Sequence, residues 1–286
     1  MSQTPSLLVE DRDQIRWILF NRPEVHNAQN VEMLVALEQA LDETARMPDI
    51  RVLVLGGTGQ SFCSGHDLRE MVDNADYRER SATVEGRLEQ ERRLFVRPIE
   101  QLSELRIPTI GRVQGHCRAA GLMFVAACDL VVASDSADFG SSIIPAMAVN
   151  DAEVPLFAWL LGERRAKQAL WLGETMSATE ALRCGLVNWV VTESELDAFV
   201  ADITSKLLAT SATALALSKE SFRFMARSQG RDDFVEYHFL AHQLSHRTAD
   251  AVTRLEERVT RIQAGLPPVT PTHRGTKETG NEPNRA

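Results

Sequence analysis

The stretch 113–129, VQGHCRAAGLMFVAACD, constrains the fold of this chain more than any other. A strand ends over 110–114, Gly115 lets the backbone turn, and Ala119, Ala120 and Gly121 lead into an apolar helix over 122–128. Small residues at such a junction allow another group to approach the backbone closely. The first N–H groups of the helix have no intrahelical partner, and the helix dipole adds partial positive charge there. A negative oxygen fits such a place.

A second stretch has the same form. Residues 51–57 (RVLVLGG) read as a buried strand and 58–61 as a turn. Phe62-Cys63-Ser64-Gly65-His66-Asp67-Leu68 then enters a helix. Two such turns can each aim one backbone N–H at the same oxygen; they are equally compatible with two ordinary βα connections.

Strand and helix signals alternate along the chain. Residues 6–10 and 15–21 read as strands joined by the polar run 11–14. Asn30 is placed to cap an amphipathic helix over 31–46, with Leu34, Leu37, Leu41 and Ala45 on one face. The β-branched run 51–55 has the pattern of a strand buried on both faces. Residues 67–91 are charged and poorly periodic, read as a short helix and a mobile loop, which is either a lid or a solvated connection. A long helix follows over 83–105, with Pro98 as a point of interruption. Strands are expected at 109–114, 130–133, 137–140 and 187–191, and an irregular loop at 146–155. Helices are expected at 154–161, 163–172 and 177–183, the last with Ser177 and Glu180 as a capping box. From 194 the chain is helical, with apolar stripes Phe234, Tyr237, Ala241, Leu244 and Val252, Leu255, Val259, Ile262 that suit a core or subunit contact. The tail beyond Gly265, rich in Pro, Thr and Gly, is expected to be disordered.

The formal net charge of −9 over 286 residues argues against nucleic acid and an anionic membrane as partners. No apolar run has the length of a membrane span, and the N-terminus lacks the basic and apolar regions of a signal peptide. Cys63, Cys117, Cys128 and Cys184 show no metal spacing, so no metal is expected and a reduced, cytoplasmic protein fits. Small buried thiols are the expected state of Cys63 and Cys117.

Four motifs, taken together and in order, resemble the enoyl-CoA hydratase/isomerase (crotonase) superfamily. Asn21-Arg22-Pro23 with Asn27-Ala28 resembles its N-terminal motif, and Phe62–Leu68 its FxxGxDL motif. Residues 113–129 resemble its Gly-rich motif ending in Cys-Asp, and Arg183-Cys184-Gly185-Leu186-Val187 its GLV segment. The resemblance implies an α/β fold: a crotonase-like β/α spiral core that binds acyl-CoA over 1–195, a C-terminal helical trimerisation region over 196–265, and a tail over 266–286. It implies an acyl-CoA thioester as substrate, with coenzyme A entering as part of the substrate and no separate cofactor. It also implies a homotrimer or a dimer of trimers.

Carried onto this chain, the resemblance makes the N–H groups of His66 and Ala120 the donors to a thioester oxygen. Such a hole makes the carbonyl easier to turn into an enolate. The His66 side chain either touches substrate or points away while its N–H works. The two glutamates usual in the family's hydratases fall at Met123 and Ile143, neither of which moves a proton. Asp151, eight residues after Ile143, stands where some members carry a catalytic aspartate. It is either a base or nucleophile, or a helix cap shared with Asn150. Glu153 is a weaker candidate, since a glutamate in a first helical turn is expected from the dipole alone. Around these, the substrate-binding residues implied are His26, Ala28, Ser64, Asp67, Leu68, Met123 and Ile143. Lys219 is a second basic candidate for phosphate, and His116, Arg118, Ser141 and Ser142 are polar groups near the site. The reaction is then isomerisation, atypical hydration or C–C hydrolysis; a non-catalytic acyl-CoA-binding or regulatory protein is the alternative.

Overall fold

A computed structural model describes residues 4–266. Residues 267–286 of the expected tail lie outside the described residues. Nine strands form two sheets: β1 (Leu7–Arg12), β2 (Ile15–Phe20), β3 (Val52–Gly57), β4 (Thr109–Val113), β5 (His116–Arg118), β6 (Leu130–Ser134), β7 (Asp138–Gly140), β8 (Met176–Ser177) and β9 (Trp189–Val191). The larger sheet has the order β1-β2-β3-β4-β6-β9, the smaller β5-β7-β8. Only β1 runs antiparallel within the larger sheet; the remaining neighbours are parallel, each joined by a crossover. The chain thus winds as a β/α spiral followed by helices at its C-terminal end.

β3 is buried along its whole length. Leu53 and Leu55 join the main core with Phe20, Leu37 and Leu41, whereas Val52 and Val54 face a second core with Ile110, Val132, Leu196 and Val200. Helix Leu196–Ala209 supplies that second layer, so both faces of the strand are covered. Each such side chain contributes roughly 1.5–3 kcal/mol on burial. Helix Val31–Arg46 begins where Asn30 accepts from the Met33 N–H at 3.0 Å, and it buries Leu34, Leu37 and Leu41.

Two of the following three segments depart from the sequence reading; the interruption near Pro98 is as expected. The charged run after Asp67 is packed helix (Leu68–Asp73, Ala75–Arg80, Val84–Glu91), because Asp67, Asn74 and Thr83 each cap a new start and Tyr77 and Glu91 are buried beneath. The long helix before β4 is interrupted by a π-helical stretch, Arg92–Val96, immediately ahead of Pro98, whose ring and missing N–H prevent regular helical bonding. Residues Ile143–Met147 form one helical turn, closed by Ala148 in the left-handed conformation, that runs into the start of what reads as loop.

Of the core and subunit-contact readings of the C-terminal stripes, the core reading fails on helix Arg231–Ser245. On Arg231–Ser245, Tyr237 and Leu244 of the apolar stripe point outward and are 72% exposed, while His238 and Gln243 are buried. Polar partners in the segment 150–151 decide this orientation.

Candidate active site

The two strand-to-helix turns are in backbone contact. Cys63 N–H donates to the His116 carbonyl at 3.0 Å, and Arg118 N–H donates back to the Cys63 carbonyl at 2.8 Å. Gly65 has φ +92°, and a Cβ there would lie 3.0 Å from the Ala119 Cβ and 3.5 Å from the Ala120 nitrogen. A Cβ on Gly121 would meet the Cys63 carbonyl at 2.8 Å. The small residues are therefore required by the approach of one turn to the other.

Ala119 holds φ +43° at the N-terminal end of helix Ala120–Ala127, a conformation that favours glycine. Ala120 is the first helical residue, so its N–H is free of the helix's own bonds. Among the described residues neither that N–H nor the His66 N–H has a backbone acceptor in the turns and loops. Both residues line one cleft of about 1320 Å³.

The N-terminal motif braces the first turn. Asn27, buried with φ +56°, donates to the carbonyls of Thr58 and Ser61 at 2.9 and 2.7 Å, and Arg22 pairs with Asp67 at 2.8 Å. The end of the Gly-rich motif has a similar duty: the Asp129 carboxylate accepts from Thr109 N–H at 2.8 Å at the start of β4.

Asp151 lies in the same cleft, only 1% exposed, with Ser141 Oγ donating to its Oδ2 at 2.6 Å. Burial pushes the carboxyl up to about 7, although the Ser141 hydroxyl and the Ala152 N–H pull it down. Asp151 is not a helix cap. Helix Val154–Leu161 has no side-chain cap, and the Asp151 contact to Glu153 N–H is long at 3.5 Å. The backbone around it is held from the C-terminal helix: His238 Nε2 lies 2.8 Å from the Asp151 carbonyl and His242 Nδ1 2.5 Å from that of Asn150. The Asn150 N–H donates to Ser245 Oγ at 2.9 Å.

Glu153 is buried beside the cleft, 2% exposed, and its Oε2 has no hydrogen-bond partner. Met123, Ile143 and Leu68 also line the cleft and give it apolar walls. The His66 ring packs on Phe95, with centroids 3.9 Å apart, and faces the cleft instead of turning away. Burial, and then His242, hold that imidazole down to about 3, so it stays neutral.

Other candidates stand elsewhere. His26 is exposed and bonded to Ser61 Oγ at 3.0 Å; Ser64 Oγ donates to the Val25 carbonyl; Ala28 accepts from Arg22; the Asp67 side chain is taken by Arg22 and by its helix. None of these four lines the cleft. His116 and Arg118 both pair with Asp138. Lys219 reaches the cleft wall but pairs with Asp129 at 2.7 Å. Cys63 and Cys117 are buried, and burial pushes the Cys63 thiol up to about 11 and Cys117 well up, so neither is a nucleophile at neutral pH.

Two groups of cleft residues escape a reading of the sequence. Glu91, buried, accepts from Tyr77 Oη at 3.3 Å and from Arg87 at 3.4 Å. The second group is His238, His242 and His246, whose four-residue spacing marks one helix face.

Comparison with known proteins decides the ancestry of this arrangement. The profile described as enoyl-CoA hydratase/isomerase matches residues 10–258. The chain belongs to that family. It is 33% identical over 243 residues to the mouse mitochondrial enoyl-CoA hydratase domain-containing protein 3, covering 81% of this chain and 73% of the relative. It is 30% identical to a mevalonyl-coenzyme A hydratase of Aspergillus fumigatus, covering 72% and 74%. Among solved structures, a probable enoyl-CoA hydratase of Mycobacterium smegmatis superposes with a TM-score of 0.77 at 32% identity, covering 84% of this chain and 94% of the other. An enoyl-CoA hydratase/isomerase of Xanthobacter autotrophicus Py2 gives 0.83 at 26% identity, covering 91% and 94%. The spiral with its helical C-terminal region is thus the crotonase fold. Within this enoyl-CoA hydratase/isomerase member, Asp151 and Glu153 supply carboxyls on the cleft wall, while Met123 and Ile143 supply none.

Proposed function

We propose that this protein moves a proton along the acyl chain of an unsaturated acyl-CoA thioester through an enolate, with Asp151 as the base. The observation that carries this reading is the position of Asp151: fully buried, fixed by Ser141 and by helix Arg231–Ser245, and titrating near neutrality in the cleft that His66 and Ala120 share. A base poised near the working pH is suited to taking the proton. The thioester oxygen sits at the N–H groups of His66 and Ala120, where each donor is worth roughly 3–4 kcal/mol to the developing charge. The apolar walls at Met123 and Ile143 exclude water from the acyl group, which favours isomerisation over hydration. The outward Tyr237, Leu244 and Leu255 supply contacts for a homotrimer or a dimer of trimers.

The experiment is a comparison of crotonyl-CoA hydration with isomerisation of a 3-enoyl-CoA. Wild type isomerises the second and hydrates the first slowly, and Asp151→Asn loses isomerisation. Hydration at an ordinary enzymatic rate that survives Asp151→Asn overturns the reading. Thioester binding with no turnover of either substrate favours the non-catalytic alternative, for which Met123 and Ile143 in the cleft wall speak.

A further inference from the structure

Glu153 has no structural duty that accounts for it. It sits at the N-terminal boundary of helix Val154–Leu161 but makes no side-chain cap. It forms no ion pair among the described residues, and its Oε2 is buried without a hydrogen-bond partner. Leaving a buried carboxyl oxygen unpaired is unfavourable, the more so if it is charged. The group shares the cleft with Asp151, two residues earlier, and both backbones are fixed: Asp151 by His238, and Glu153 through the first helical bond, from Phe157 N–H to its carbonyl at 2.9 Å.

We propose that Glu153 is a second catalytic residue of this site, the acid that delivers a proton to the carbon remote from the thioester while Asp151 takes one from the carbon next to it. The assignment rests on the reading of Asp151 as the base. For a 3-enoyl thioester the step balances as follows. The Asp151 carboxylate takes a proton from C2, and the C2–H electron pair runs into the carbonyl, whose oxygen is held by the two N–H groups. The Glu153 carboxyl then gives its proton to C4 as the carbonyl re-forms. The double bond moves from C3–C4 to C2–C3. Asp151 leaves protonated and Glu153 ionised, and proton exchange with solvent restores both. The unpaired Oε2 is the atom that this role requires to be free.

The test uses the full-length chain with trans-3-hexenoyl-CoA in D₂O. Deuterium in recovered substrate and in product is followed by mass spectrometry. Glu153→Gln is expected to keep deuterium uptake at C2 within about threefold of wild type and to form the 2-enoyl product at least about a hundredfold more slowly, the loss typical of one positioned acid. Asp151→Asn is expected to lose both. Product formation at the wild-type rate by Glu153→Gln overturns the assignment of Glu153 and leaves that of Asp151 intact. Normal C2 exchange by Asp151→Asn overturns the underlying function instead. Glu153→Met is the control for folding: removal of an unpaired buried oxygen keeps or raises the melting temperature while product formation is lost. A large fall in melting temperature for both Glu153 variants shows a structural role and overturns the proposal.

Discussion

His238 Nε2 lies 2.8 Å from the carbonyl oxygen of Asp151, a residue 87 positions earlier in the chain. With His242 and Ser245 it ties the segment 150–151 to helix Arg231–Ser245, so the Asp151 backbone is held from outside the spiral. On the proposed function His238 acts through Asp151, as a positioning residue. His238→Phe keeps the volume and removes the donor. Its kcat is expected to fall roughly tenfold with little change in KM, the signature of a misplaced group. A larger change in KM than in kcat speaks against the role.

Asp151 ties activity to pH. As a base it works only when ionised, and its carboxyl titrates at about 7. The rate on an isomerisable thioester is expected to fall about tenfold for each pH unit below that value. A pH–rate profile flat from 5 to 8 contradicts this.

The same residue sets an opposite trend in stability. A carboxyl raised above its unfolded value of 3.8 binds its proton more tightly in the folded state. Its contribution is fully present below that unfolded value and is lost as the pH rises through about 7. The total is on the order of a few kcal/mol. Asp151→Asn is therefore expected to melt higher than wild type at pH 8 and to lose that advantage toward pH 4. Thermal melts at the two pH values check it.

Ala119 carries strain that glycine does not. Ala119→Gly relieves the positive φ and is expected to raise stability by about 1 kcal/mol, measurable by urea unfolding. Equal or lower stability counts against strain at this turn.

Gly121 keeps the two turns together. Gly121→Ala places a Cβ 2.8 Å from the Cys63 carbonyl, and a shift of the Ala120 N–H by a fraction of an ångström follows. Isomerisation is expected to fall by up to about 10² while the fold survives. Unchanged activity contradicts a hole built from these two turns.

Much of the scaffold is legible because its signals are local. Asn30 before an apolar stripe, Ser177 with Glu180, and the β-branched run of β3 each act over a few residues, and helices Val31–Arg46 and Ala178–Arg183 and strand β3 follow from them. The site is less legible because its decisive contacts are not local. In the sequence Asp151 passes for a helix cap and Glu153 for a first-turn acid, and only burial separates them from ordinary surface charges. The apolar stripe on Arg231–Ser245 suits a core or a subunit contact; three histidine and serine bonds to residues 150–151 turn the opposite face inward and leave Tyr237 and Leu244 outward. His26, Ala28, Ser64 and Asp67 sit beside the right motifs, but the side chains of His26, Ser64 and Asp67 and the carbonyl of Ala28 brace the turns instead of lining the cleft.

The clamp of His238 and His242 on the acidic loop also has a consequence in time. The loop leaves the ribosome some 87 to 92 residues before the side chains that hold it. A nascent chain can complete its spiral and still lack an aimed carboxyl until helix Arg231–Ser245 has been made and docked. On the proposed function, a chain cut short before residue 238 can build the spiral and remains silent, because the clamp on the Asp151 carbonyl is missing.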